Sequence, residues 1–269
     1  MSERPTIGLA LSGGAARGMA HVGVLRALTE NNIPIDYVAG TSAGSIVAGA
    51  YAAGMPIDEI AAFGLSLRWR HIGRVTMSRL GFQSNERLER YLRKRLPVTR
   101  FEDLRLPLAI VATDLKTGDA VVMRDHGDVP FAIRASCTIP GWYVPVPDKQ
   151  GRQLVDGGLV AVIPVSVCRE LGADIVIAVD VNASGATFLG ATGSIIGVIL
   201  QALLVVQKTS SHYQRAASDL VITPQVAHIR WDQVKRAGDL MDAGYAAAME
   251  SIPEILALIE SRSVKSAVL

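Results

Sequence analysis

Tyr37-Val38-Ala39-Gly40-Thr41-Ser42-Ala43-Gly44, residues 37–44, carries an apolar run into a Gly-x-Ser-x-Gly turn, and an alanine-rich stretch follows to about Ala53. An apolar strand that ends in a sharp turn and opens a small-residue helix exposes a serine oxygen at the carboxyl edge of a sheet. Glycines on both sides let the backbone fold tightly at that point. The helix start turns free N–H groups and a positive dipole end toward developing negative charge. The bare five-residue pattern equally describes a serine capping an ordinary helix, so its neighbours decide the reading.

Upstream, Thr6 to Leu11 reads as a strand, Ser12 to Gly18 as a glycine-rich turn, and the segment through about Glu30 as an apolar-patterned helix. Two consecutive strand-turn-helix units imply parallel pairing with right-handed crossovers. Leu108 to Thr113 and Ile175 to Val181 are near-continuous apolar runs suited to the middle of such a sheet, with shorter strands expected at Ala120 to Met123 and Asp219 to Ile222. Val165 to Leu171 reads as a helix, and a long helical pattern runs from Lys235 to about Arg262 with a break or kink at Pro253. The 269 residues are read as one α/β domain without repeats or a linker. Ser194 to Val206, interrupted at Gln201, falls short of the roughly 20 apolar residues that span a bilayer and is expected to be a buried helix. Ala183 to Gly193, rich in Gly, Ala and Ser, is expected to be a mobile loop.

Composition narrows the function classes. A formal charge of +2 does not point to a nucleic-acid partner. Cys137 and Cys168 fit neither a disulfide framework nor a metal site and read as small buried side chains of a reduced compartment. The Met-Ser-Glu-Arg-Pro start lacks an apolar signal core, so a cytoplasmic location is expected. No His/Cys/carboxylate cluster has metal-ligand spacing.

An activated serine needs a base. Of the five histidines, His21 reads as a packed helix residue, His71, His126 and His228 lie in polar or irregular segments, and His212 reads as a surface position. Asp156-Gly157-Gly158 is the better candidate, because the glycines let Asp156 project from a tight turn, although Asp-Gly is also a common ordinary turn. A carboxylate is a weak base at its usual pKa, so this role demands an apolar setting. The Ser12 to Gly18 turn offers backbone N–H groups to an anion, either an oxyanion or the phosphates of a nucleotide. The nucleotide reading is weakened by Ala15, which stands where a dinucleotide fingerprint has its middle glycine. It is weakened again by a second strand that ends in Gly40-Thr41 rather than in an acidic residue.

The ordered set of Ser12 to Gly18 with Arg17, Gly40 to Gly44, Ala135-Ser136-Cys137-Thr138-Ile139-Pro140 and Asp156-Gly157-Gly158 resembles the patatin-like phospholipase family, in particular its compact bacterial members. The resemblance covers roughly residues 6–170, with 171–269 expected to complete the same domain. It implies a three-layer α/β/α fold with a mainly parallel central sheet, and a Ser-Asp dyad of Ser42 and Asp156 that hydrolyses lipid-type esters without a histidine or a cofactor. It also implies an oxyanion hole at the amides of Gly13, Gly14 and Ala15. Arg17, Gly18, Gly40, Gly44, Gly157 and Gly158 are then motif positions in support. Ala15 departs from the family's usual third glycine but keeps its N–H. A scaffolding member of the family with little hydrolysis remains an alternative.

Two regions bear on the substrate. Trp142 and Tyr143 are candidates for an acyl pocket, with core packing as the other reading. Arg68 to Arg100 holds ten Arg/Lys against Glu86 and Glu89, read as a solvated helix face in part and, around Arg68, Trp69, Arg70 and Arg74, as a contact for an anionic lipid surface at the inner membrane face.

Overall fold

The computed structural model describes residues 4–183 and 195–266. Its strands in chain order are β1 (Ile7–Leu11), β2 (Tyr37–Thr41), β3 (Arg74–Val75), β4 (Gly81–Ser84), β5 (Leu108–Asp114), β6 (Ala120–Met123), β7 (Gly141–Tyr143), β8 (Val146–Pro147), β9 (Gln153–Asp156), β10 (Ile175–Val179) and β11 (Leu220–Ile222). The helices are α1 (Ala20–Glu30), α2 (Ala43–Ala52), α3 (Ile57–Ser66), α4 (Trp69–Ile72), α5 (Glu86–Arg95), α6 (Val129–Ser136), α7 (Val165–Glu170), α8 (Ile195–Ala216) and α9 (Ala237–Ser266).

An eight-stranded sheet has the order β11-β10-β1-β2-β5-β9-β8, with β6 paired to β5. From β11 to β5 every pairing is parallel, whereas β6 and β9 join β5, and β8 joins β9, antiparallel. The parallel strands are buried on both faces, as their continuous apolar sequences require. Alternation then separates two cores. Ile7, Leu9, Leu11, Leu108, Ile110, Ile175 and Ile177 face a large core that also takes in α1, α2, α3, α5, α6 and α9. On the opposite face, small residues such as Ala10, Ala39, Ala109 and Ala178 let α7 approach closely. The result is the three-layer α/β/α arrangement, with β10, from beyond residue 170, beside β1 and β11 beside β10 in the same sheet.

Two expectations about helices change. α9 continues through Pro253 without a break. Of the expected buried helix at Ser194 to Val206, the described part from Ile195 on opens α8, which presents Val198, Val205 and Val206 to solvent at 54%, 58% and 53% exposure. A run that is apolar all round is buried only if neighbours cover every side, and α8 lies at the outside of the thinner layer, against α7 and the turn after Asp156. The loop expected at Ala183 to Gly193 lies, past Ala183, outside the described residues.

Candidate active site

β2 ends at Thr41, and the chain turns through Ser42 into α2. Ser42 has φ 51 and ψ −123, a backbone conformation that costs a non-glycine residue roughly 1–3 kcal/mol and is kept where function demands it. The flanking glycines are required by contact. A Cβ on Gly40 would lie 2.6 Å from the Ser45 Cα, and one on Gly44 would lie 2.3 Å from the Leu11 carbonyl oxygen. No hydroxyl cap bonds the helix start, so Ser42 is not a capping serine.

The Ser42 hydroxyl donates to Asp156 Oδ2 at 2.7 Å. Asp156 closes β9 opposite Ala112 of β5, and its Oδ1 accepts from the Gly158 N–H at 2.8 Å. Its carboxyl is only 5% exposed, and burial raises its pKa to about 6 against the opposing pull of the hydrogen bonds from Ser42 and Gly158. The end of α6 and the segment after it tie both members down. The Ser136 hydroxyl accepts from the Ser42 N–H at 2.8 Å and donates to the Val111 carbonyl at 2.6 Å, while the Thr138 carbonyl accepts from the Asp156 N–H at 2.8 Å. Thr138 is itself held by buried Asn85, whose amide donates to its hydroxyl at 2.8 Å. These positioning roles of Ser136, Thr138 and Asn85 have no local signature beyond the motif that contains the first two.

The glycine-rich turn lies directly against the serine, with the position of a Gly13 Cβ only 3.3 Å from the Ser42 Cβ. Here the expected donor set is corrected. The Gly13 N–H donates to the Val162 carbonyl at 3.0 Å and is already committed, as is that of Ala16 to the Trp231 carbonyl. The N–H groups of Gly14 and Ala15 have no partner among the described residues. Ala15 adopts φ 48, the left-handed region that its methyl disfavours. Asn182 supports the turn by donating to the Gly13 carbonyl at 2.8 Å, a contact nothing in its sequence context announces. Arg17 is buried and donates to the Ile229 carbonyl at 2.7 Å and the Ala227 carbonyl at 3.2 Å, so it ties the turn to the segment after β11. With the Gly13 and Ala16 amides committed, those of Gly14 and Ala15 are the ones the turn offers to an anion beside Ser42.

No histidine bonds to Ser42 or Asp156. His21 is fully buried, donates from Nε2 to the Ser12 carbonyl at 2.8 Å, and has its pKa lowered to about 4 by burial, so it is a neutral packing residue. His71 stacks on Tyr91, and His126, His212 and His228 are exposed. Among the described residues no group of three or more His, Cys, Asp or Glu is placed to hold a metal ion, and no helix is long and apolar enough to cross a membrane. Both cysteines are buried and free.

Ser42 stands where two cavities meet. One runs between α2, α3 and α4 and is lined by residues such as Val47, Ile60, Phe63, Leu88 and Tyr143. The other is lined by Trp142, Leu203, Leu204 and Trp231 with the polar groups of Arg17, Asn182, Gln207 and Asp156. The proposed acyl-pocket pair is therefore divided, with Tyr143 in the first cavity and Trp142 in the second.

Residues 9–169 match the family described as patatin-like phospholipase. The chain belongs to that family. Its similar relatives include an uncharacterized NTE family protein of Mycobacterium bovis, 39% identical over 69% of this chain and 51% of that protein. The lysophospholipase NTE1 of Mycosarcoma maydis is 38% identical over 66% of this chain and 10% of that protein. Human patatin-like phospholipase domain-containing protein 6 is 35% identical over 70% and 14%, respectively. The matched segment thus spans about half of the first relative and a much smaller part of the other two. The patatin fold is also seen in VipD from Legionella pneumophila, at TM-score 0.54 and 13% identity over 94% of this chain and 67% of that one. The type III effector ExoU gives 0.50 and 16% over 96% and 54%.

Proposed function

We propose that the chain is a serine acyl hydrolase of lipid carboxylic esters that works through a Ser42-Asp156 dyad. The observation that carries this reading is the 2.7 Å bond from Ser42 Oγ to a buried carboxylate, at a point where an apolar cavity meets a more polar one. Ser42 Oγ attacks the ester carbonyl while Asp156 Oδ2 takes its proton, and the oxyanion that forms is held by the Gly14 and Ala15 N–H groups. Asp156 returns the proton to the departing alcohol. Water, deprotonated in turn by Asp156, then attacks the acyl-enzyme and frees the acid and Ser42. The apolar cavity suits the acyl chain, and the cavity that holds Arg17, Asn182 and Gln207 suits the alcohol side. Family membership, and a relative named as a lysophospholipase, support a phospholipid or lysophospholipid ester as the substrate class.

Hydrolysis of p-nitrophenyl esters tests this directly. Ser42→Ala and Asp156→Asn should each lose roughly 10³-fold or more in kcat while keeping the fold. Wild-type kcat/KM should rise with pH through about 6, as the Asp156 proton leaves. Undiminished turnover in either folded variant excludes the dyad.

A further inference from the structure

Val75, Met77, Leu80 and Phe82 stand in solvent with exposures of 77%, 103%, 59% and 52%, all on the β3–β4 hairpin and its tip. Isolated exposed apolar side chains are ordinary, but four large ones on one projecting hairpin form a patch. The cations around them are also distinctive. Arg68, Arg70, Arg74 and Arg79 have no carboxylate within 4.0 Å among the described residues, and residues 68–85 contain no Asp or Glu at all. On neighbouring α5 Arg93 is paired with Glu89 and Asp128, and beyond it Arg100 is paired with Glu102, but Arg87, Arg90, Lys94 and Arg95 also have no carboxylate within 4.0 Å among the described residues. Within the basic run from Arg68 to Arg100 the hairpin is set apart by its apolar tip and by the lack of any acid from residue 68 to 85.

This hairpin is joined to the site. β4 pairs with β7, which carries Trp142 and Tyr143 into the two cavities, and Trp69 and Ile72, just before the hairpin, line the apolar one that reaches Ser42. We infer that the β3–β4 hairpin docks the protein on an anionic lipid leaflet, its apolar tip entering the acyl layer and its arginines meeting the phosphates. The inference rests on the reading of Ser42 as the centre of a lipid hydrolase, because docking here sets the apolar cavity beside the leaflet. A second copy of the chain is a poor occupant, since two such hairpins would oppose unpaired arginines.

The test is sedimentation with vesicles, using the full chain carrying Ser42→Ala so that binding is read without hydrolysis. Vesicles of phosphatidylcholine with phosphatidylglycerol should bind it at least tenfold more tightly than phosphatidylcholine alone, and rising salt should weaken the difference, since each arginine near a charged surface contributes roughly fivefold. Met77→Asp with Phe82→Asp, and separately Arg74→Glu with Arg79→Glu, should each cost at least tenfold. In the presence of Ser42, both pairs should leave the melting temperature and the rate on a soluble short-chain ester unchanged. Equal binding by parent and variants, binding indifferent to lipid charge, or a dimer that Phe82→Asp dissociates would overturn the docking assignment. Loss of vesicle binding with intact ester hydrolysis supports docking, whereas vesicle binding with no hydrolysis by the wild type removes the hydrolase reading and leaves the surface standing.

Discussion

At Ser42 and Asp156 the chain accepts two local costs, a backbone of φ 51 at the first and a buried carboxylate at the second. The second cost has a pH signature. The folded carboxyl has a pKa of about 6 against 3.8 for a free aspartic acid, so the folded state binds this proton more tightly than the unfolded one. Its stability contribution is complete below about pH 4 and is lost as pH rises through about 6, a loss on the order of 2–3 kcal/mol. Asp156→Asn removes the ionisation. The variant should therefore melt above the wild type at pH 8, with the gap closing toward pH 4, and a gap that is constant or reversed counts against a desolvated base. The serine and the aspartate were legible in the sequence because both stand beside glycines in ordered motifs. Ser136, Thr138 and Asn182 were not legible in role, since each acts through hydrogen bonds to backbone groups distant in the chain.

Elements follow the apolar pattern closely where they are long and buried, and poorly where they are short or at an edge. β1, β2, β5 and β10 lie where continuous apolar runs predict them, because a strand covered on both faces must be apolar throughout. β3, β4, β7 and β8 have two to four residues each and depend on their partners, so no periodicity announces them. The contact of α1 with α9 is likewise invisible from sequence. It is close enough that a Cβ on Gly23 would lie 1.8 Å from the Met241 carbonyl, and one on Gly244 would lie 1.9 Å from that of Ala20. Gly244→Ala should therefore lose about 2 kcal/mol despite the better helix propensity of alanine, a fall of roughly 4–8 °C in melting temperature. An unchanged or raised melting temperature would show that the two helices separate without cost.

Across the whole molecule, the sheet's carboxyl edge brings together motifs from residues 12 to 182, and the helices on its thicker face shape the apolar cavity that leads away from Ser42. Sequence pattern reaches the sheet and the site but not the cavities, because a cavity is the space left between helices whose crossing depends on contacts such as the one between α1 and α9. If that cavity holds the acyl chain, Ile72→Trp at its half-buried rim should cut kcat/KM for long-chain esters roughly tenfold or more relative to butyrate. An equal effect on both lengths would place the chain elsewhere. The central claim, a serine made nucleophilic by one aspartate, is tested most directly by intact-mass and peptide-level analysis after treatment with a fluorophosphonate. One adduct on Ser42 in the wild type, none in Ser42→Ala and much slower labelling in Asp156→Asn is the predicted result. Labelling of Ser42→Ala to the same extent, or of Asp156→Asn at the wild-type rate, would contradict it.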